Sequence, residues 1–363
     1  MKDKKKKILV GMSGGVDSSV AAALLLRQGY EVIGGFIKNW SDTKDLATGE
    51  CAWKSERRDA IRVAAKLGIP LMTFDFEKEY RQKVVEEIFR GYEAGITPNP
   101  DVLCNQYIKF GLFLDAADKV GADFIATGHY ARVKRDKDGE AHLFRGLDQD
   151  KDQSYFLCRI TQRSLRRTFF PVGDLKKTDV RHLAQKFKLP VFDKPDSQGI
   201  CFMGKLDMVE FLRKKIPSKP GDIVDDKGKV LGRHSGLDAY TIGQRQRILV
   251  SNGAQAWYVA DKDVQENRLV VVAGADHPLL YAKYAEIGDF CWISGKKAPV
   301  LPLRCQVQIR YRQEAVGAKI SKGQQKGELR VDFEQPVKAV SPGQSAVAYK
   351  REECLGGGII IGT

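Results

Sequence analysis

Gly11-Met12-Ser13-Gly14-Gly15-Val16-Asp17-Ser18 is the stretch on which the fold turns. Ile8-Leu9-Val10 ahead of it reads as a short buried strand, and Val20 to Leu26 behind it as a helix stopping at Gly29. A Gly- and Ser-rich turn between strand and helix is suited to phosphate. The N–H groups at a helix start have no intrahelical acceptor and point at the anion, and glycines let the backbone come close. The common nucleotide loop carries Lys-Ser or Lys-Thr at the helix start; here Asp17-Ser18 stands there instead. Ser13, Ser18 and the turn amides suit pyrophosphate, and Asp17 suits Mg²⁺. Such a grip fits an enzyme that splits ATP between its α and β phosphates and leaves AMP on the substrate.

Working outward, residues 8 to about 128 alternate strand-like and helix-like segments. Tyr30–Ile37, Leu71–Phe76 and Asp123–Thr127 read as strands, and Ser55–Leu67, Glu79–Ala94 and Tyr107–Val120 as helices. Alternation of this kind implies a doubly wound parallel sheet with helices on both faces. Ligands bind such sheets outside the carboxyl ends of the strands, where both Gly11–Ser18 and Thr127-Gly128-His129 fall. Ser41–Lys54 is polar and aperiodic and reads as a loop over the nucleotide site or an idle surface loop. The pattern changes near residue 205. Leu206–Lys215 reads as a short helix, and beyond it come short strands such as Arg268–Val272 and Leu329–Phe333. Tight turns are expected at Asp226-Lys227-Gly228, Asp261-Lys262-Asp263 and Ser294-Gly295. The last third therefore reads as small β modules, with barrels expected. The expected units are an α/β ATP-binding catalytic unit over 1–205, a small central domain over 206–275 and a C-terminal β-barrel over 276–363.

The 363 residues carry 60 basic and 46 acidic side chains, a net charge of +14 that favours a polyanionic partner. No apolar run is long enough to span a bilayer, and Met1–Lys7 leads into too short an apolar run for a signal peptide. A cytoplasmic location is expected. Seven cysteines scattered over this length do not resemble a disulfide scaffold, and without a Cys-x-x-Cys pair a closed zinc site is not expected.

Two of the seven stand on polar loops. Thr97-Pro98-Asn99-Pro100-Asp101-Val102-Leu103-Cys104-Asn105 presents Asp101 and Cys104 just before the helix expected at Tyr107. A helix N-terminus favours thiolate, and a nearby carboxylate moves protons. Asp196-Ser197-Gln198-Gly199-Ile200-Cys201-Phe202 is the second loop. Either cysteine alone reads as readily as packing. Two together in an ATP-activating domain suggest sulfur transfer, one thiol carrying a persulfide and the other resolving it.

With these motifs the chain resembles the tRNA-specific 2-thiouridylase family of the PP-loop ATP pyrophosphatase superfamily. The resemblance runs essentially end to end. Besides the nucleotide turn and the two cysteine loops it covers Ala126–Tyr130, Lys151–Leu157, Thr241–Arg245 and Pro342–Val347. It implies an adenine nucleotide alpha hydrolase-like PP-loop domain and a sulfurtransferase that converts the wobble uridine of tRNA to 2-thiouridine. ATP would adenylate the C2 oxygen, Cys201 would carry the persulfide, and Cys104 would release the sulfur by closing a bond to Cys201. Asp101 would be acid or base, with Asn99 and Pro100 lining the target-base pocket. The resemblance places ATP on Gly11, Met12, Ser13, Gly14, Gly15, Val16, Asp17, Ser18, Ile37 and Gly128. It places tRNA on His129, Lys151, Asp152, Gln153, Arg310, Tyr311 and Gln344.

The partners implied are tRNA and a persulfide donor, either a relay protein or a cysteine desulfurase. The superfamily also implies an alternative in which Cys104 and Cys201 bind an iron–sulfur cluster. A further alternative is a synthetase that uses the same turn to form a C–N bond. Ile37 stands where the family usually has Met, and Gln246-Arg247 where it usually has Gly-Leu. Cys51, Cys158, Cys291, Cys305 and Cys354 receive no role.

Overall fold

The computed structural model describes residues 5–42, 50–196, 208–248, 250, 256–295 and 298–363. Strands β1 (Lys7–Gly11), β2 (Glu31–Lys38) and β3 (Leu71–Asp75) pair in parallel, and β4 (Phe124–Ala126) adds to the other side of β1. Ile8, Leu9 and Val10 are all fully buried, as a strand covered on both faces requires. Alternate side chains serve two cores. Ile8 and Val10 join the apolar faces of helices α1 (Val16–Arg27) and α2 (Ala52–Leu67). Leu9 joins Val84, Ile88, Ile108 and Phe113 on the opposite side. The doubly wound sheet is thus written into the period-two alternation of β1.

Boundaries moved in two places. Helix α2 starts at Ala52, so Ala52–Lys54 are its first turn rather than loop; the rest of the expected loop lies largely outside the described residues. The second shift bears on the chemistry. The helix expected from Tyr107 begins at Pro100 and runs through Pro100–Leu103, a π-helical Cys104–Leu112 and Phe113–Lys119. Asn99 caps it, its side-chain oxygen accepting from the Val102 N–H at 3.3 Å, and Pro100 occupies the first position, where its missing N–H costs nothing. Asp101 and Cys104 therefore lie inside the helix, not ahead of it.

Beyond β4 the chain makes an unforeseen hairpin, β5 (Ala131–Arg135) and β6 (Ala141–Arg145), before β7 (Thr168–Phe169) completes the parallel sheet in the order β3-β2-β1-β4-β7. A four-stranded sheet follows, from β8 (Gly221–Val224), β9 (Val230–His234), β10 (Trp257–Asp263) and β11 (Arg268–Ala273), in the order β10-β11-β8-β9. Asp261-Lys262-Asp263 belongs to β10 instead of a turn, where the register shifts between Val259 and Asp261. The expected turn at Asp226–Gly228 is present, with Asp225 accepting from the Lys227 and Lys229 amides.

The last unit is a closed antiparallel barrel of β12 (Tyr281–Trp292), β13 (Leu303–Gln308), β14 (Val316–Lys322), β15 (Leu329–Lys338), β16 (Ser345–Lys350) and β17 (Glu353–Gly362), closed by β12 on β17. Strand β6 pairs with β17, so the hairpin extends the barrel sheet and ties it to the parallel sheet. No helix of the described residues is long and apolar enough to cross a membrane.

Candidate nucleotide and cysteine site

The turn between β1 and α1 is held by its own hydroxyls. The Ser13 amide donates to Ser18 Oγ and the Gly15 amide to Ser13 Oγ, each at 3.3 Å, while Ser19 Oγ donates to the Gly15 carbonyl at 2.6 Å. Gly14 has φ +73°, and a Cβ there would lie 2.2 Å from the Glu56 carbonyl oxygen. A Cβ on Gly128 would lie 2.6 Å from the Ser18 nitrogen. The end of β4 is thus pressed directly onto the turn, and only glycine permits it. Ile37 is buried near the end of β2. Two positions on, the Asn39 side chain is 1% exposed and neither of its amide atoms has a hydrogen-bond partner. A glycine-walled turn, a helix N-terminus and an orphaned buried amide at the carboxyl end of the sheet fit a bound nucleotide.

Asp17 is clasped by two groups the sequence reading did not connect with it. Lys177 Nζ donates to its two oxygens at 2.7 and 2.8 Å, and the Tyr130 hydroxyl donates to Oδ1 at 2.8 Å. Burial, with the Asp17 charge adding to it, drives the Tyr130 hydroxyl far above the ordinary tyrosine range, so it stays a donor. Asp17 Oδ2 accepts one of these bonds and keeps a lone-pair site, which fits a cation such as Mg²⁺. An iron–sulfur cluster takes several cysteine ligands. Cys201, one of the two ligands such a cluster would take here, lies outside the described residues.

Cys104 is fully buried and Asp101 half-buried in the first turns of the Asn99-capped helix. This helix backs the nucleotide turn: a Cβ on Gly11 would touch the Phe113 ring at 3.5 Å, and Phe110 packs against His129 with ring centroids 5.7 Å apart. Cys201 and the loop around it lie outside the described residues, as does any separation between the two thiols.

The segment before Cys104 is a junction of all three units. The Thr97 amide donates to the Pro342 carbonyl at 3.0 Å, and Gln344 Nε2 donates to the Thr97 carbonyl at 3.0 Å. Thr97 Oγ1 meets Thr241 Oγ1 of the central unit at 3.4 Å. Gly343 has φ +91°, and a Cβ there would lie 2.6 Å from the Thr97 carbonyl oxygen. A cavity of about 230 Å³ beside this junction is walled by Pro98, Asn99, Val102, Leu103, Gly343 and Ser345 among others.

The residues assigned to tRNA divide. Arg310 is exposed, and Tyr311 packs against Phe156 with centroids 4.4 Å apart and the rings tilted by 48°. Lys151 is half-buried and paired with Asp196 at 2.9 Å. Asp152 is internal: its oxygens accept from the Gly146 and Ser154 amides, Ser154 Oγ and Arg145. Gln153 accepts from the Tyr130 amide. His129 is 8% exposed with Nδ1 2.7 Å from Thr127 Oγ1, and burial, helped by Lys109, holds its ring neutral far below the usual range. Asp152 and Gln153 bond within and beside the loop that carries Lys151, and the His129 ring is neutral.

An anion-binding turn on a parallel sheet, with Asp in place of the usual lysine, defines the ATP-pyrophosphatase class of HUP-domain enzymes, which use ATP. Residues 6–205 match the tRNA methyl transferase HUP domain, 209–273 the tRNA methyl transferase PRC-barrel domain and 283–360 the Aminomethyltransferase beta-barrel domain. The chain is 47% identical over 354 residues to tRNA-specific 2-thiouridylase MnmA 2 of Geobacillus kaustophilus, covering 98% of this chain and 94% of that one. It is 46% identical to tRNA-specific 2-thiouridylase MnmA of Idiomarina loihiensis, covering 99% and 97%. To the protein of the same name from Francisella tularensis subsp. novicida it is 44% identical, covering 98% and 99%. The chain belongs to the tRNA-specific 2-thiouridylase family.

Proposed function

We propose that this protein is an ATP-dependent tRNA sulfurtransferase that replaces the C2 oxygen of a wobble uridine by sulfur. The observation that carries the proposal is the placement of the Cys104 helix. It backs the nucleotide turn at one end, and at the other its leading loop is fastened by the central unit and the barrel. A methyl transfer, or C–N bond formation on the same turn, leaves Cys104 and Asp101 without a task.

In the reaction proposed, the uracil O2 attacks the α phosphorus of ATP, the bond to the bridging oxygen breaks, and pyrophosphate leaves with the electron pair. Asp101 takes the N3 proton. Asp17 would help hold Mg²⁺, which would supply positive charge to the phosphates. Cys201 carries a persulfide delivered by a donor protein. The Cys104 thiolate attacks Sγ of Cys201, the bond from that Sγ to the outer sulfur breaks, and a Cys104–Cys201 disulfide forms as hydrosulfide leaves with the electron pair and displaces AMP from C2. A thiol reductant resets the pair. Asn99 and Pro100 line the base pocket, and the base leaves the anticodon stack to reach it. Residues 1–205 carry the chemistry, while 206–275 and 276–363 hold the tRNA, with Lys151, Arg310 and Tyr311 at its surface. The enzyme works in the cytoplasm, where tRNA and reductant are found.

The test uses the full chain with ATP, Mg²⁺, a persulfide donor and anticodon stem-loop RNA. Formation of 2-thiouridine, read by mass, is expected to require ATP and to be lost in Cys104→Ser and in Cys201→Ser. Free sulfide is expected to restore it in both variants, because it bypasses persulfide cleavage. Unchanged thiolation without ATP, or in the double variant with the donor alone, contradicts the proposal.

A further inference from the structure

Cys104 is fully buried in the core cluster that holds Ile37, Val84 and Ile108. The opposite side of its helix is not close-packed. Val102 and Leu103 wall a cavity of about 230 Å³ together with Gly343, Ser345 and Ile359 of the barrel, whereas protein interiors leave few voids larger than a water molecule. On that side the helix is fastened by polar bonds. Gln106 lies two residues beyond Cys104 and so on the other side of the helix. Its Oε1 accepts from Arg159 Nε at 2.7 Å. Arg159 is 4% exposed, and the rest of its guanidinium faces the barrel. Nη1 donates to the Asp289 carbonyl at 2.7 Å, and Nη2 donates to Asp289 Oδ2. Asp289 has φ +49° and stands where the register of β12 against β17 shifts, between Gly288 and Cys291. A bulge of this kind re-aims a strand; here the carbonyl and the side chain of one residue meet the same guanidinium.

We infer that Arg159 is a positioning residue for the sulfur-transfer step: it ties the back of the Cys104 helix to the barrel and so fixes which way Cys104 faces. The inference rests on the reading of Cys104 as the thiol that cleaves the Cys201 persulfide. The tether acts at the Cys104 end of the helix. Phe113, which meets the nucleotide turn, lies further along it, beyond the π-helical segment. Activation of the uridine by ATP therefore does not need the tether, and delivery of sulfur does. A buried charge is held cheaply only when it is paired and hydrogen-bonded, and Arg159 finds its partners only when catalytic helix and barrel stand together. The facing of Cys104 thus follows the seating of the barrel.

Two sulfur sources separate this role from a structural one, because free sulfide bypasses persulfide cleavage. The full chain is charged with persulfide by a cysteine desulfurase and cysteine, freed of both, and given ATP, Mg²⁺ and anticodon stem-loop RNA without thiol reductant. A second sample, not charged, receives free sulfide instead. 2-Thiouridine is read by mass, per persulfide loaded in the first case. Arg159→Met is expected to slow thiolation from the persulfide by about tenfold or more, while thiolation from free sulfide stays within about twofold of the unaltered chain. The Asp289 carboxylate it leaves behind is 72% exposed and so is not stranded. Gln106→Leu, which cuts only the helix half of the tether, is expected to give the same split, and the double variant to be no slower than the slower single variant. Should Arg159→Met fail to fold, Gln106→Leu is read in the same way. Equal slowing with both sulfur sources overturns the inference, as do unchanged thiolation from the persulfide and additive losses in the double variant. Persulfide-dependent thiolation that survives Cys104→Ser overturns the reading of Cys104 itself, and is a different result.

Discussion

A Cβ on Gly128 would fall 2.6 Å from the Ser18 nitrogen and 2.7 Å from the Asp17 carbonyl carbon. Both are backbone atoms, so no side chain can swing aside. Gly128→Ala is expected to push β4 off the nucleotide turn, costing about 1–3 kcal/mol of stability. Its ATP affinity should fall more than its melting temperature suggests, which calorimetry and thermal unfolding together would show. At this scale much of the site was legible. Gly11 to Ser18 declared its purpose because phosphate binding needs glycines and helix-start amides at fixed spacing. Lys177 did not, because its partners Asp17 and Asp196 are joined to it only by the fold. The one local signal was a lysine pair, Lys176-Lys177, at a helix start where acids are preferred. Asp152 stands in the Lys151–Leu157 stretch that the family resemblance covers, and only the fold shows its carboxylate buried and bonded to its own loop.

At the level of elements, the hairpin β5–β6 links the parallel sheet to the barrel through its pairing with β17, and His142 on β6 sits between two acids. Its Nδ1 is 2.7 Å from Glu353 on β17 and its Nε2 3.5 Å from Asp136. The hydrogen bond to Glu353 is the main cause that raises its pKa above 6.5, with Asp136 adding to it against the effect of burial. A pKa raised in the folded state means a contribution fully present below pH 6.5 and lost as pH rises through the folded value. The group is about one-third exposed, so solvent screening limits the effect to about 0.5 kcal/mol. His142→Ala is expected to destabilise the chain at about pH 5.5 and to be nearly neutral at about pH 9. Urea unfolding at the two pH values checks it, and an equal loss at both would remove the ion pair as the cause. The hairpin escaped the sequence reading because its strands, Ala131–Arg135 and Ala141–Arg145, are short and mix basic with apolar residues. Their partner strand lies two hundred residues away. The Pro100 helix start escaped for a different reason. The segment reads as a polar loop ahead of a helix at Tyr107, whereas Asn99 and Pro100 are a cap and a first helical residue.

For the whole molecule, the decisive contact is the junction on Thr97, where barrel backbone and the central unit's Thr241 hold the loop leading to Asp101 and Cys104. Gly343→Ala is expected to force the barrel away from Thr97 and to lower thiolation by about tenfold or more while ATP binding stays intact, as a misplaced catalytic loop does. The alternation of elements and the resemblance over the whole chain made the α/β-then-barrel architecture legible. The meeting of three units on one residue was not, since Thr97, Thr241 and Pro342 are far apart in sequence. The net charge of +14 fits a broad polyanion surface, and tRNA binding should weaken steeply with added salt.

The central claim is that ATP is spent to turn the uridine C2 oxygen into part of a leaving group. It is tested most directly with anticodon stem-loop RNA carrying ¹⁸O at C2 of the wobble uridine, incubated with the enzyme, ATP and a persulfide donor. The ¹⁸O is expected to leave in AMP, one atom for each 2-thiouridine formed. Label found in water or pyrophosphate, with none in AMP, would contradict it.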